Sequence, residues 1–233
     1  MAGETAKTEA ICLRIAPWSR TSHIVTWLTP GGPLSTLVKG AVRPKSPFLG
    51  QYDLNYTCEI IHYLHGRSEL KPLRECRPTA LREPLRDDFR RLALAGYVRW
   101  LVERLAPQGP DAADWFALAD RTLDRLATRD DDSPALVADL LDFEIAALRL
   151  AGLAPEVEAG SGAFHLRGER RIPVSAAVAA AIRAPRTVRD PKILLDTARA
   201  IGVFYAFHLD LALDTRRNVL KLICTNEEGK RNG

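Results

Sequence analysis

The run SHIVTWLTPGGPLSTLV, residues 22–38, decides the fold. Its first half is crowded with β-branched and aromatic residues that suit a half-buried strand. Pro30-Gly31-Gly32 is strong turn chemistry, and an apolar run resumes at Leu34, so the whole reads as a β-hairpin. Working outward, TEAICLRI at 8–15 precedes it as a strand, and DLNYTCEIIHYL at 53–64 and ELKPLREC at 69–76 follow. His65-Gly66-Arg67 is a turn between the last two. Five strands close together with no helix between them predict a small closed barrel, not a parallel sheet. The five-stranded OB-fold leads, with an SH3-like barrel as the alternative.

Near residue 80 the periodicity changes from strand-like to helical. Phe89, Leu92, Ala93, Gly96, Tyr97, Trp100, Leu101 and Leu105 recur at helical spacing, predicting a helix over 85–105 that Pro107 to Pro110 ends. A second helix is expected over 111–127 and a third from Ser133-Pro134, with Ser as N-cap and Pro at the first helical position, to about Ala151, stopping at Gly152. Residues 156–172 break the pattern around Gly160-Ser161-Gly162 and read as a small irregular hairpin lobe. A short helix over 174–182 and a long one from Asp190-Pro191 to about Leu213 complete the chain, before a polar tail after Thr225. The expected class is therefore α+β: an OB-fold β-barrel over 1–80 and an α-helical domain over 81–233, with the lobe inserted in it.

Charge is unevenly placed. Residues 1–80 hold ten Lys and Arg against six Asp and Glu, whereas 81–233 hold twenty-three of each, so the net +4 comes from the first third. A localised basic surface fits a phosphate-bearing partner. No apolar run is long enough to span a membrane, and the N-terminus lacks the apolar core of a secretory signal, so a cytoplasmic protein is expected. Cys12, Cys58, Cys76 and Cys224 contain no C-x-x-C pair and read as separate, mostly buried thiols. His62 and His65 would point to opposite faces of a strand, which is wrong for one metal. Asp130-Asp131-Asp132 lacks the glycine and terminal glutamate of a calcium loop. Phosphate-binding, dinucleotide, zinc-protease and serine-hydrolase motifs are absent from the sequence, which favours binding over catalysis. No cofactor and no metal are expected.

OB-folds grip single strands with a basic groove along the phosphates and aromatic rings against the bases. Arg14, Arg20, Lys39, Arg43, Lys45, Lys71 and Arg74 supply the charge, and Trp18, Trp27 and Tyr52 are candidate rings. Trp27 reads better as core, because large aromatics are mostly buried, while Trp18 lies in the loop Ala16-Pro17-Trp18-Ser19-Arg20. Lys39, Arg43 and Lys45 share one Gly- and Pro-bearing loop, KGAVRPKSP at 39–47.

EAICLR at 9–14, SHIVTWLT at 22–29, GPLSTL at 32–37, KGA with RPKS up to Ser46, SELKPLREC at 68–76 and LRLAGLAP at 148–155 together, in this order, resemble the RecO family. The likeness is strong over 9–76 and weak after 156. It implies a repair and recombination mediator that binds single- and double-stranded DNA and anneals complementary strands. With RecR it would help load RecA on DNA coated by single-stranded-DNA-binding protein (SSB), in the nucleoid. The phosphate contacts are then Lys39, Arg43 and Lys45, extended by Arg14, Arg20, Lys71 and Arg74. Arg216 and Arg217, read as following the last helix, are weaker candidates, whose other role is to complement that helix's dipole. A groove for the acidic, hydrophobic SSB tail is expected in the helical domain. Arg121 and Arg125 could meet its carboxylate or could pair with Asp120 and Asp124. Many family members carry paired zinc cysteines after the Gly-x-x-Pro stop. This chain has no cysteine between Cys76 and Cys224, so a metal-free lobe is expected. An RNA-binding OB protein and a protein-interaction scaffold are the rival readings.

Overall fold

The computed structural model describes residues 4–64, 69–128, 133–157, 163–167, 170–209, 211 and 213–224. His65 and the turn at 65–67, Asp130 to Asp132, Gly160-Ser161-Gly162 and the polar tail lie outside the described residues.

Five strands close into a barrel in the order β1-β2-β3-β5-β4. They are β1 (Thr5–Pro17), β2 (His23–Thr29), β3 (Gly32–Val38), β4 (Thr57–Tyr63) and β5 (Lys71–Ala80). β1 is long because it serves two neighbours. Thr5 to Ile11 pair with β4, and Ile11 to Pro17 pair with β2. A register shift between Cys12 and Arg14 lets the strand bend from one to the other. The barrel closes where β3 meets β5 in parallel, while all its other pairs are antiparallel. This is the OB arrangement, and the SH3-like alternative falls away. β4 starts at Thr57, later than the 53–64 run suggested, because Asn55 adopts a left-handed φ of 70° that strand pairing cannot continue through.

Ala10, Cys12, Val25, Trp27, Val38, Cys58, Ile60 and Leu73 fill the interior, joined by Ala41, Phe48 and Tyr56 from the β3–β4 connection. Trp27 is wholly buried, and its indole N–H donates to Thr36 Oγ1 at 2.8 Å, so its polar atom is satisfied inside the core. Burial pushes the Cys12 thiol well above its ordinary range, as suits a packing residue. Cys58 is buried too, Cys76 is half-buried and Cys224 is exposed. At the β2–β3 turn Gly32 has φ +116°, and a Cβ there would lie 2.7 Å from Gln108 Oε1 and 2.8 Å from the Pro107 carbonyl oxygen. Only glycine fits this close approach.

Six helices follow among the described residues: α1 (Phe89–Leu105), α2 (Ala112–Thr128), α3 (Ser133–Leu150), α4 (Ala176–Arg183), α5 (Pro191–His208) and α6 (Asp214–Cys224). A 3-10 turn, Glu83–Arg86, precedes α1. The lobe is a two-stranded antiparallel hairpin of β6 (Ala163–Arg167) and β7 (Arg170–Pro173). Among the described residues no helix is long and apolar enough to cross a membrane.

The chain forms two compact units that do not divide where strands give way to helices. One comprises residues 1–87 and 98–127, the other 88–97 and 128–233. The barrel's unit therefore keeps the C-terminal half of α1, from Val98 onward, and nearly all of α2. Arg82 ties α2 to it. Its side chain is 2% exposed and donates to the Asn55 carbonyl (2.7 Å), Thr57 Oγ1 (2.8 Å), Asp120 Oδ1 (2.6 Å) and Asp124 Oδ1 (2.7 Å). Arg99 of α1 adds donors to Asn55 Oδ1 (2.7 Å) and the Leu13 carbonyl (2.6 Å).

In the second unit, α5 opens where expected: Asp190 accepts from the amides of Lys192 and Ile193. It ends at His208, short of the expected Leu213, because Leu209 turns to extended backbone at φ −118°, ψ 125°. Arg216 and Arg217 accordingly do not trail the last helix but lie within α6. Arg216 is buried against Glu144 of α3, with Nε to Oε1 at 2.7 Å and Nη2 to Oε2 at 2.9 Å. Tyr97 O–H donates to the same Oε1 at 2.6 Å, and Tyr205 O–H to the Glu144 carbonyl at 3.1 Å. Burial, reinforced by the Glu144 charge, holds both phenols well above their ordinary range. Gly202 makes the space: a Cβ there would stand 2.7 Å from Arg216 Nη1.

Candidate nucleic-acid interface

Two loops at one end of the barrel make the site. The first joins β1 to β2 and turns tightly, with the amides of Trp18 and Ser19 donating to the Ser22 carbonyl at 2.9 and 3.2 Å. The second joins β3 to β4 and advances by successive turns. Arg43 N–H donates to the Gly40 carbonyl (3.1 Å), Ser46 to Arg43 (2.9 Å), Leu49 to Ser46 (3.3 Å) and Gln51 to Phe48 (3.1 Å). Ala41 and Phe48 anchor it in the barrel core. Pro44 and Pro47, which have no N–H to offer, stand at positions where these turns need none. A stretch with the composition of a free loop is thus held in one shape.

The loops are fastened to each other. Gly40 N–H donates to Ser22 Oγ at 3.2 Å, and Val42 N–H to the Thr21 carbonyl at 3.3 Å. Gly40 adopts φ +65°, a left-handed conformation that glycine takes without strain. Between the loops lies a cleft of ≈ 400 Å³ lined by Trp18, Ser19, Ser22, Leu37, Lys39, Gly40 and Arg43.

Three of the residues expected from sequence, Trp18, Lys39 and Arg43, thus line one cleft. Trp18 is 60% exposed. Arg20 and Lys45 are exposed on the same two loops but do not line it. Lys71 begins β5 opposite Thr36, one residue from the cleft residue Leu37. Arg14 lies further along β1 and is already engaged, with Nε to Glu103 Oε1 at 2.8 Å and Nη2 to Thr26 Oγ1 at 3.1 Å. Arg74 pairs with its neighbour Glu75 at 3.2 Å.

Other candidates lie elsewhere. Trp27 is core. Tyr52 is half-buried, T-shaped against Trp27, with its hydroxyl 2.8 Å from His23 Nδ1. Arg216 is withdrawn as a nucleic-acid contact, because its guanidinium is consumed by Glu144 and the Ala198 carbonyl inside the second unit. Arg217 is exposed in that unit and pairs with Asp214 one turn earlier. On α2, Arg121 is exposed and Arg125 half-buried, while the carboxylates of Asp120 and Asp124 turn to Arg82. Ser22 and Gly40, which hold the cleft together, escaped the sequence reading. Their signal was a hydroxyl-rich turn and a lone glycine directly after the lysine at the strand end.

Residues 1–82 match the family described as Recombination protein O N terminal, and residues 86–164 the one described as Recombination protein O C terminal. Among individual proteins, the chain is 28% identical over 178 residues to the DNA repair protein RecO of Moorella thermoacetica, covering 76% of this chain and 64% of that one. It is 36% identical over 152 residues to the DNA repair protein RecO of Rhodopirellula baltica, covering 64% and 54%. With the Geobacter metallireducens DNA repair protein RecO the figures are 32% over 150 residues, 64% and 59%. The matched stretch therefore spans less than two thirds of these relatives' own length.

Proposed function

The chain belongs to the RecO family, and on that premise we propose that its barrel holds DNA by the phosphates, as part of recombinational repair. The observation that carries this is the meeting of Lys39 and Arg43 in one cleft, with Arg20 and Lys45 exposed on the same loops. Amide-to-hydroxyl and amide-to-carbonyl bonds between the loops fix the backbone that carries these cations, so little loop ordering has to accompany binding. Neutralising phosphates releases counterions and allows two strands to approach. Annealing of complementary strands then needs no bond chemistry, and the protein acts as a mediator, not as an enzyme.

Single- and double-stranded DNA would both be bound, because both present the phosphates that the cations read. Further steps rest on the family alone: action with RecR, loading of RecA onto SSB-coated DNA, capture of the SSB tail, and a place in the cytoplasm at the nucleoid. Arg121 and Arg125 remain the proposed contacts for that tail's carboxylate.

The test is anisotropy of labelled single-stranded DNA over a salt series, with the full chain and the Lys39→Ala/Arg43→Ala/Lys45→Ala variant. Loss of three phosphate contacts lowers the salt slope by about two units on a single strand. Absence of binding by the folded wild type at low salt defeats the reading.

A further inference from the structure

We propose that the cleft between the two loops is a seat for one unpaired nucleotide, so that part of the barrel's affinity comes from a base and not only from phosphates. This rests on the DNA-binding reading above and deepens it. The lining divides into the parts a nucleotide needs. Trp18 offers an exposed indole and Leu37 an apolar surface, Ser19 and Ser22 bring hydroxyls, and Lys39 and Arg43 supply charge. Aromatic faces stack on any base, hydroxyls can bond its edge or the sugar, and the cations suit the flanking phosphates.

Size and exposure point the same way. The ≈ 400 Å³ cleft is at the small end of ligand clefts, which run from about 300 to 1,000 Å³, and suits one nucleotide. A base inside a duplex has both faces covered by its neighbours, so only an unstacked base can lie against Trp18. Trp18 is 60% exposed, whereas Trp27 and Trp115 are buried. The Ser22–Gly40 bond keeps the hydroxyl wall and the cation wall in register.

The experiment compares three labelled probes of one length with the full chain: oligothymidylate, the same backbone made abasic, and a fully paired duplex. Oligothymidylate binds about tenfold more tightly than the abasic strand, the worth of one stacked base. Trp18→Ala removes that difference but leaves the salt slope unchanged, because every cation remains, and Trp18→Phe retains most of it. Intrinsic fluorescence falls on adding oligothymidylate to the wild type and does so less in Trp18→Phe. Equal binding of the two single strands by the wild type overturns the nucleotide seat while leaving phosphate binding intact. A preference that survives in Trp18→Ala overturns it as well. Failure of all three probes to bind overturns both readings.

Discussion

Each compact unit is drawn together by a buried arginine, but the two arginines face different partners. Arg82, in the barrel unit, is 2% exposed, yet its carboxylates Asp120 and Asp124 are 31% and 54% exposed. Arg216, in the helical unit, is 5% exposed and its carboxylate Glu144 is wholly enclosed. A half-exposed carboxylate that loses its arginine can return to water, whereas an enclosed one stays behind as an uncompensated charge. Two buried arginines therefore differ in what their loss does, and the difference lies in the acid, not the base.

Replacing Arg216 sharpens this contrast most. Arg216→Met leaves Glu144 stranded beside two phenols and costs about 3–5 kcal/mol, read as a fall in urea-unfolding free energy of the helical unit. Adding Glu144→Gln to the same chain recovers part of the loss, because the amide carries no charge and still accepts from Tyr97. If the double variant is as unstable as the single one, the stranded charge is not the cause.

Arg82→Met comes next, at about 2 kcal/mol, the worth of hydrogen bonds to charged groups. Hydrogen exchange should show faster opening of α2 amides, with those of α3 and α5 unmoved. A loss equal to that of Arg216→Met breaks the comparison.

The smallest effect belongs to Asp88, 18% exposed, which accepts from the Arg90 amide at 2.8 Å and the Arg90 Nη2 at 2.9 Å. Burial opposes its charge, but these hydrogen bonds and the Arg90 and Arg91 charges prevail, so its carboxyl is held below the ordinary range. A carboxyl lowered in the folded state stabilises above its unfolded value and loses that contribution as pH falls through the folded one. Asp88→Asn keeps an acceptor for the Arg90 amide but not the charge. It is expected to cost about 0.5 kcal/mol at neutral pH. The difference should shrink as pH falls below about 4, the unfolded carboxyl's value, and vanish beneath the folded one. Unfolding curves of both proteins from pH 7 to acid check this.

Much of this architecture was legible because it is local. The strand runs, the Pro-Gly-Gly turn and the Asp190-Pro191 cap each declare themselves within a few residues. Asn55 illustrates a signal present but outvoted: its left-handed backbone ends a run that its neighbours made strand-like. The end of α5 was hidden because LDLALD at 209–214 keeps an apolar spacing compatible with a helix. Arg216 was misread for another reason. Nothing in TRRN at 215–218 says that one arginine faces a glutamate 72 residues away while the next faces solvent. In the candidate site, sequence supplied residue types and loop membership. Which cations share a cleft with Trp18 depends on the Ser22–Gly40 bond, a contact between loops that no spacing encodes.

The parallel join of β3 and β5 carries one more consequence. It rests on two register pairs, Thr36 with Lys71 and Leu37 with Pro72, and proline brings no amide to the second. Neighbouring joins run to six or seven pairs. The cylinder thus has a weak seam, and Leu37 of the cleft sits on it. A strand drawn across Leu37 and Lys71 would bridge the two margins from outside, bracing the wall where it is thinnest, so that occupancy of the cleft and resistance of the barrel to prying open rise together.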